Sequence, residues 1–212
     1  MKNKTKSTLI IDAIALFLIT LVSGLALSYV YEITKTPIGE QQEAKKQKAN
    51  QAVFTSASSF ELDGELMNLA STIDLATLNK DFTGITIDEV NKAVNDQGET
   101  LGYNIMVTTT QSYKDYITLV FGYSKDGTVQ GIEITSISET AGLGMNATKP
   151  GFLAQYLHKN VTQFMVTKTG ATSDEQIDAI SGATITSRAV TNAVNAGIAF
   201  INANAADMGG TK

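Results

Sequence analysis

The chain has 212 residues but no cysteine, no tryptophan, one histidine and two prolines. Without cysteine there is no disulfide framework, no iron–sulfur cluster and no thiolate metal site. A single imidazole, His158, excludes a multi-histidine zinc or haem centre. His158 follows an apolar turn and precedes Lys159, the setting of a surface residue at a helix end. Positive charge is also scarce. The net charge is −5, and from Thr36 onward 19 acidic residues face 12 basic ones. That balance argues against nucleic acid as a partner and against a basic face pressed on anionic lipid. The chain carries no nucleotide fingerprint, no nucleophile–base pair and no metal-ligand spacing. No catalytic residue and no metal ligand are therefore assigned.

Charge is missing altogether from one stretch. Ala13 to Tyr31 is nineteen uncharged residues. At the helical rise this spans about 28 Å, close to a bilayer core. Asp12 at its edge belongs at the interface or against a partner helix. Lys2, Lys4 and Lys6 precede the stretch and keep the N-terminus in the cytoplasm, while Tyr29 and Tyr31 fall where an aromatic belt would lie. The competing reading is a cleaved signal peptide, with Ala26-Leu27-Ser28 as a passable cleavage site. The run is longer than a usual signal core and has no break before that site. The expected organisation is a cytoplasmic N-terminus (1–12), a transmembrane helix (13–31), a stalk (32–53) and an extracytoplasmic domain (54–212). The protein is thus expected in the cell membrane, single-pass, with the lipid bilayer as one partner.

Past the anchor, Gln41 to Gln51 is polar and rich in helix formers, and continues the helix beyond Pro37. Residues 54–80 have no clear pattern. Strands then begin: Ile85-Ile87-Val90, a turn at Asn95 to Gly98, and Tyr103-Ile105-Val107. Tyr116 to Tyr123 is apolar on both faces, as a central strand would be. Asp126-Gly127 forms a hairpin turn into a return strand from Val129 to Ile137. Pro150 opens a short helix. Phe164–Val166 and Ile177–Ile180 read as further strands. A last helix from about Ala183 has Val190, Val194, Ile198 and Ile201 at helical spacing. The fold class is α+β, a mainly antiparallel sheet flanked by helices behind one N-terminal transmembrane helix.

Two loops concentrate the chemistry. Asp178-Ala179-Ile180-Ser181-Gly182-Ala183-Thr184 joins a strand to the last helix. It gathers small residues, hydroxyls and backbone N–H groups, which suits an anion such as phosphate. The same letters also make an ordinary helix start, with Ser181 as N-cap and Gly182 and Ala183 in the first turn. The second loop is Ser138-Glu139-Thr140-Ala141-Gly142-Leu143-Gly144-Met145. Its glycines permit a tight turn and close approach to a flat ligand, or simply end a strand.

The first loop resembles the flavinylation signal of the FMN-binding domain family, and the second resembles that family's Glu-Thr-x-Gly-Leu-Gly loop. The resemblance implies FMN joined covalently to Thr184 by a phosphoester, with Thr186 the next hydroxyl to consider. It implies Ser181, Gly182, Ala183 and Asp178 around the attachment, and Glu139, Thr140, Leu143 and Gly144 against the ring. Lys168 would reach the flavin by analogy with the family, or be an ordinary strand-end lysine. Arg188, one turn past Thr184, either adds a counter-charge or is a solvated helix residue. Asp178 either is read by the flavin transferase that installs FMN or only fixes the turn. Length, motif and the Lys35-Thr36-Pro37-Ile38 segment further resemble the G subunits of Rnf-type ion-translocating electron transport complexes. Such a protein relays single electrons and has other membrane and redox subunits as partners. The alternatives are a C-type subunit of a sodium-translocating NADH:quinone oxidoreductase, a stand-alone flavinylated reductase, and a non-redox membrane-anchored binding domain.

Overall fold

The computed structural model describes the backbone of residues 2–205 and side chains from Thr8 to Ala205. The side chains of Lys2, Lys4 and Lys6, on which the topology expectation rests, lie outside the described residues. Two compact units divide between Lys45 and Lys46. The first is helical. Helix α1 runs Lys2–Val53 with Pro37 inside it, and its last eight residues belong to the second unit. Leu16, Phe17, Ile19 and Val22 are exposed along it. Among the described residues this is the one helix long and apolar enough to cross a membrane.

The second unit is the α+β domain. A six-stranded antiparallel sheet is built from β1 (Ser59–Leu62), β2 (Ile85–Val94), β3 (Thr100–Thr109), β4 (Ile117–Ser124), β5 (Thr128–Ile137) and β6 (Lys159–Asn160), in that order. The meander follows from its turns. Gly98 and Gly127 take φ of 79° and 83° and close turns onto Asn95 and Ser124, a backbone region only glycine enters freely. The stretch without a clear pattern contains β1 and helix α2 (Gly64–Thr72). Asp63 caps α2 by accepting from the N–H groups of Glu65 and Leu66. Its shortness and the brief 3₁₀ turns that follow are why periodicity did not reveal it.

Strand β4 does lie inside the sheet and is apolar on both faces. Ile117, Leu119, Phe121 and Tyr123 enter the main core. Val120, on the other face, packs with Ala49 and Val53 from the end of α1. Over the main core lies helix α4 (Thr184–Asn204), with Val190, Val194, Ile198 and Ile201 all fully buried. It crosses the sheet closely at Gly197, where an added Cβ would fall 2.5 Å from the Phe121 ring. Helix α3 (Pro150–Leu153) follows β5 in the chain, and a two-stranded parallel sheet of β7 (Met165–Thr167) and β8 (Gln176–Asp178) precedes α4. Polar residues of α4 pin this segment. The Asn195 amide accepts from Phe164 N (2.8 Å) and donates to Phe164 O (2.9 Å). Thr191 pairs with the Tyr156 hydroxyl at 2.8 Å, and burial pushes the Tyr156 phenol well above its ordinary pKa. His158 is exposed just past the turn at Ala154–Tyr156, as expected.

Candidate functional site

The turn into α4 is built differently from the expected cap. Ala183, not Ser181, is the N-cap, and no side chain bonds there. Ile180 O accepts from Ala183 N at 2.9 Å, so Ser181 and Gly182 form the corners of a turn. Gly182 has φ 75°, the value that the third position of a type II turn requires. The stabilising bond comes from inside the helix instead. The buried Ser187 hydroxyl accepts from Ile180 N (2.9 Å) and donates to Ala183 O (3.0 Å). With that bond made from within, Ser181 is left exposed, and the helix end has no side-chain cap. The first N–H groups of a helix have no partner within it.

That end opens into a cleft of about 640 Å³. One wall is Gly182, Ala183, Thr184, Ile185 and Thr186; the other residues are Tyr113, Glu139, Thr140, Leu143 and Gly144. The two loops singled out in the sequence, some forty residues apart along the chain, therefore meet. Glu139 joins them. Its carboxylate, only 8 % exposed, accepts from Thr186 Oγ1 at 3.0 Å and from Tyr113 N at 2.9 Å, both at Oε1. A buried carboxylate needs such donors to offset its desolvation. Gly144 sits against this node, and a Cβ there would lie 2.8 Å from Glu139 and from Thr186 Oγ1. The loop is folded by Leu143 N and Met145 N donating to Thr140 O, with Gly142 at φ 77°. Leu143 is left 43 % exposed, its side chain near Gly182.

The hydroxyls of the helix start differ. Thr186 is 1 % exposed and donates to Glu139. Thr184 is half-buried on the cleft wall, and its hydroxyl has no hydrogen-bond partner among the described residues. Of the other candidates, Thr140 lines the cleft. Asp178 lies instead on a second hollow, its backbone N–H donating to Gln155 Oε1 at 2.6 Å. Lys168 is exposed just past β7, and Arg188 is exposed on α4; neither lines the cleft. Sequence reasoning missed Tyr113, Ile185 and Ser187. Tyr113 stands in a connection that carries no motif, and only the pairing of β3 with β4 brings it to the end of β5.

The FMN-binding domain family model matches residues 112–199, from the residue before Tyr113 to the body of α4. The C subunit of the sodium-translocating NADH-quinone reductase of Parabacteroides distasonis has a solved structure with TM-score 0.47 and 18 % identity, covering 76 % of this chain and 94 % of that one. Among curated proteins, the G subunit of the sodium-translocating ferredoxin:NAD oxidoreductase complex of Acetobacterium woodii is 31 % identical over 86 % of both chains. The G subunit of the ion-translocating oxidoreductase complex of Methanosarcina acetivorans is 27 % identical, covering 90 % of this chain and 93 % of its own. The proton-translocating counterpart of Clostridium ljungdahlii is 28 % identical over 91 % of both. Similarity thus runs nearly the length of the chain, and the family domain encloses the cleft and both its loops: the chain belongs to the G-subunit family of ion-translocating oxidoreductase complexes.

Proposed function

We propose that the chain is the membrane-anchored flavoprotein subunit of an Rnf-type complex, with FMN esterified through its phosphate to Thr184. The observation that carries this is the meeting of an uncapped helix start, a half-buried threonine without a partner and the Gly-Leu-Gly loop in one cleft. These residues fit the group. The N-terminal N–H groups of α4 would hold the phosphate, and the helix dipole would favour its charge by about 0.3–1 kcal/mol. Gly182 and Gly144 leave room where a side chain would collide with the opposite loop. Leu143 and Ile185 are apolar and exposed, ready to cover an aromatic ring. Bound FMN would supply one-electron transfer between neighbouring redox proteins of the complex. The protein's part is to fix the ring, exclude water from one side and set the local charge; no acid or base of the chain is needed.

The apolar helix fits a single membrane anchor. We place the N-terminus in the cytoplasm and the domain outside it, because the lysines precede the apolar stretch. Where free FMN is scarce, a covalent bond removes loss by dissociation. A flavin transferase is then the maturation partner, and Asp178, exposed at the start of the motif, is accessible to it. A reporter active only outside the cytoplasm, fused after Lys212, is expected to be active; an inactive one would reverse the topology. Attachment is tested by flavin fluorescence on a denaturing gel of protein from its native host. A fluorescent native band and a dark Thr184→Ala band are expected, and a fluorescent Thr184→Ala band would move the site.

A further inference from the structure

Tyr113 is the one aromatic residue among those lining the cleft. It is 72 % exposed, yet its backbone is not loose. Its N–H donates to the buried Glu139 carboxylate at 2.9 Å, at the oxygen that also receives Thr186 Oγ1. One buried oxygen thus ties the connection between β3 and β4 to the start of α4, two residues past Thr184. Most of the surface of a large amphipathic ring is left open in a cleft whose other large exposed apolar side chains are aliphatic, Leu143 and Ile185. Aromatic rings gain from offset stacking beyond the area they bury.

We propose that Tyr113 is a flavin-contact residue that stacks on the isoalloxazine ring, and that Glu139 is the positioning residue that holds it there. The inference rests on the flavin reading given above. Glu139 acts through acceptor geometry at Oε1, not through its charge. A glutamine, which keeps that carbonyl oxygen, therefore preserves the arrangement, whereas an alanine releases both donors.

The test uses full-length protein flavinylated in its native host, with intact mass and flavin emission measured on each variant. A phenol stacked on an excited flavin donates an electron and takes it back, which quenches emission. Tyr113→Phe is expected to keep the FMN mass and the flavin absorption band but to lose the quenching, raising emission per flavin severalfold. Tyr113→Leu is expected to raise emission and also shift the band, because the stacked ring is gone. Glu139→Ala is expected to reproduce the rise in emission seen in Tyr113→Leu, and Glu139→Gln to restore native emission. The exposed position of Tyr113 makes its variants safe for folding. Native emission in a fully loaded Tyr113→Leu protein would overturn the contact, and native emission in loaded Glu139→Ala would overturn the positioning role. Native protein without the FMN mass would overturn the flavin reading itself and this inference with it.

Discussion

The domain has two hollows of similar size at opposite ends of the β8-to-α4 connection, and they differ in what their polar groups do. The hollow of about 590 Å³ beside Asp178 is lined by Gln155, Lys159, Thr172, Asp174 and Gln176. Five of its side chains pair with neighbours, while those of Ser173 and Asp178 have no partner among the described residues. Lys159 pairs with Asp174, Gln155 bonds both backbone groups of Asp178, and Gln176 Oε1 accepts from Thr172. The cleft beside Thr184 has one buried carboxylate with two donors, a helix start without a cap and a hydroxyl without a partner. Size does not distinguish the two. The uncapped helix start does, together with apolar walls that a ring can cover.

The largest expected effect separates them directly. Thr184→Ala should abolish covalent flavin while leaving the thermal midpoint nearly unchanged, since its hydroxyl has no hydrogen-bond partner among the described residues. Asp174→Asn in the other hollow should leave flavin content at the native level. Equal loss of flavin from both variants would erase the contrast. Next comes Gly144→Ala. Its Cβ would press on Glu139 and Thr186 at 2.8 Å, and overpacking of this kind costs about 1–3 kcal/mol, read as a lower urea midpoint. An unchanged midpoint would mean the node is slack. Ser187→Ala should cost about 1–2 kcal/mol, by leaving Ile180 N–H without its acceptor next to the turn. It should also slow flavinylation, because that turn presents Thr184. The smallest effect belongs to the other hollow. Lys159→Ala should cost under about 1 kcal/mol, as surface ion pairs do, and leave the flavin spectrum unaltered.

The same contrast explains what was legible in the sequence. Turn glycines, the two-faced apolar strand expected over 116–123 and found over 117–124, and the stripe of α4 follow from local chemistry. The two loops were recognisable because each carries its own letters. Their meeting was not readable from spacing, since it depends on a meander that returns β5 beside the α4 start. The expected Ser181 cap failed for a related reason. Ser187 lies seven residues beyond Ile180, outside the usual capping interval, and reaches back only because the turn at Gly182 folds the chain onto the helix. Tyr113 carried no signal at all. Its place is set by a backbone N–H, a group every residue but proline possesses.

One measurement bears most directly on the cleft as a covalent flavin site: the intact mass of protein from its native host, followed by peptide mapping. A covalent site at Thr184 predicts a mass increase equal to FMN minus water, carried wholly by the peptide containing Thr184. An unmodified mass, or the same increase carried on a peptide without Thr184, would contradict it.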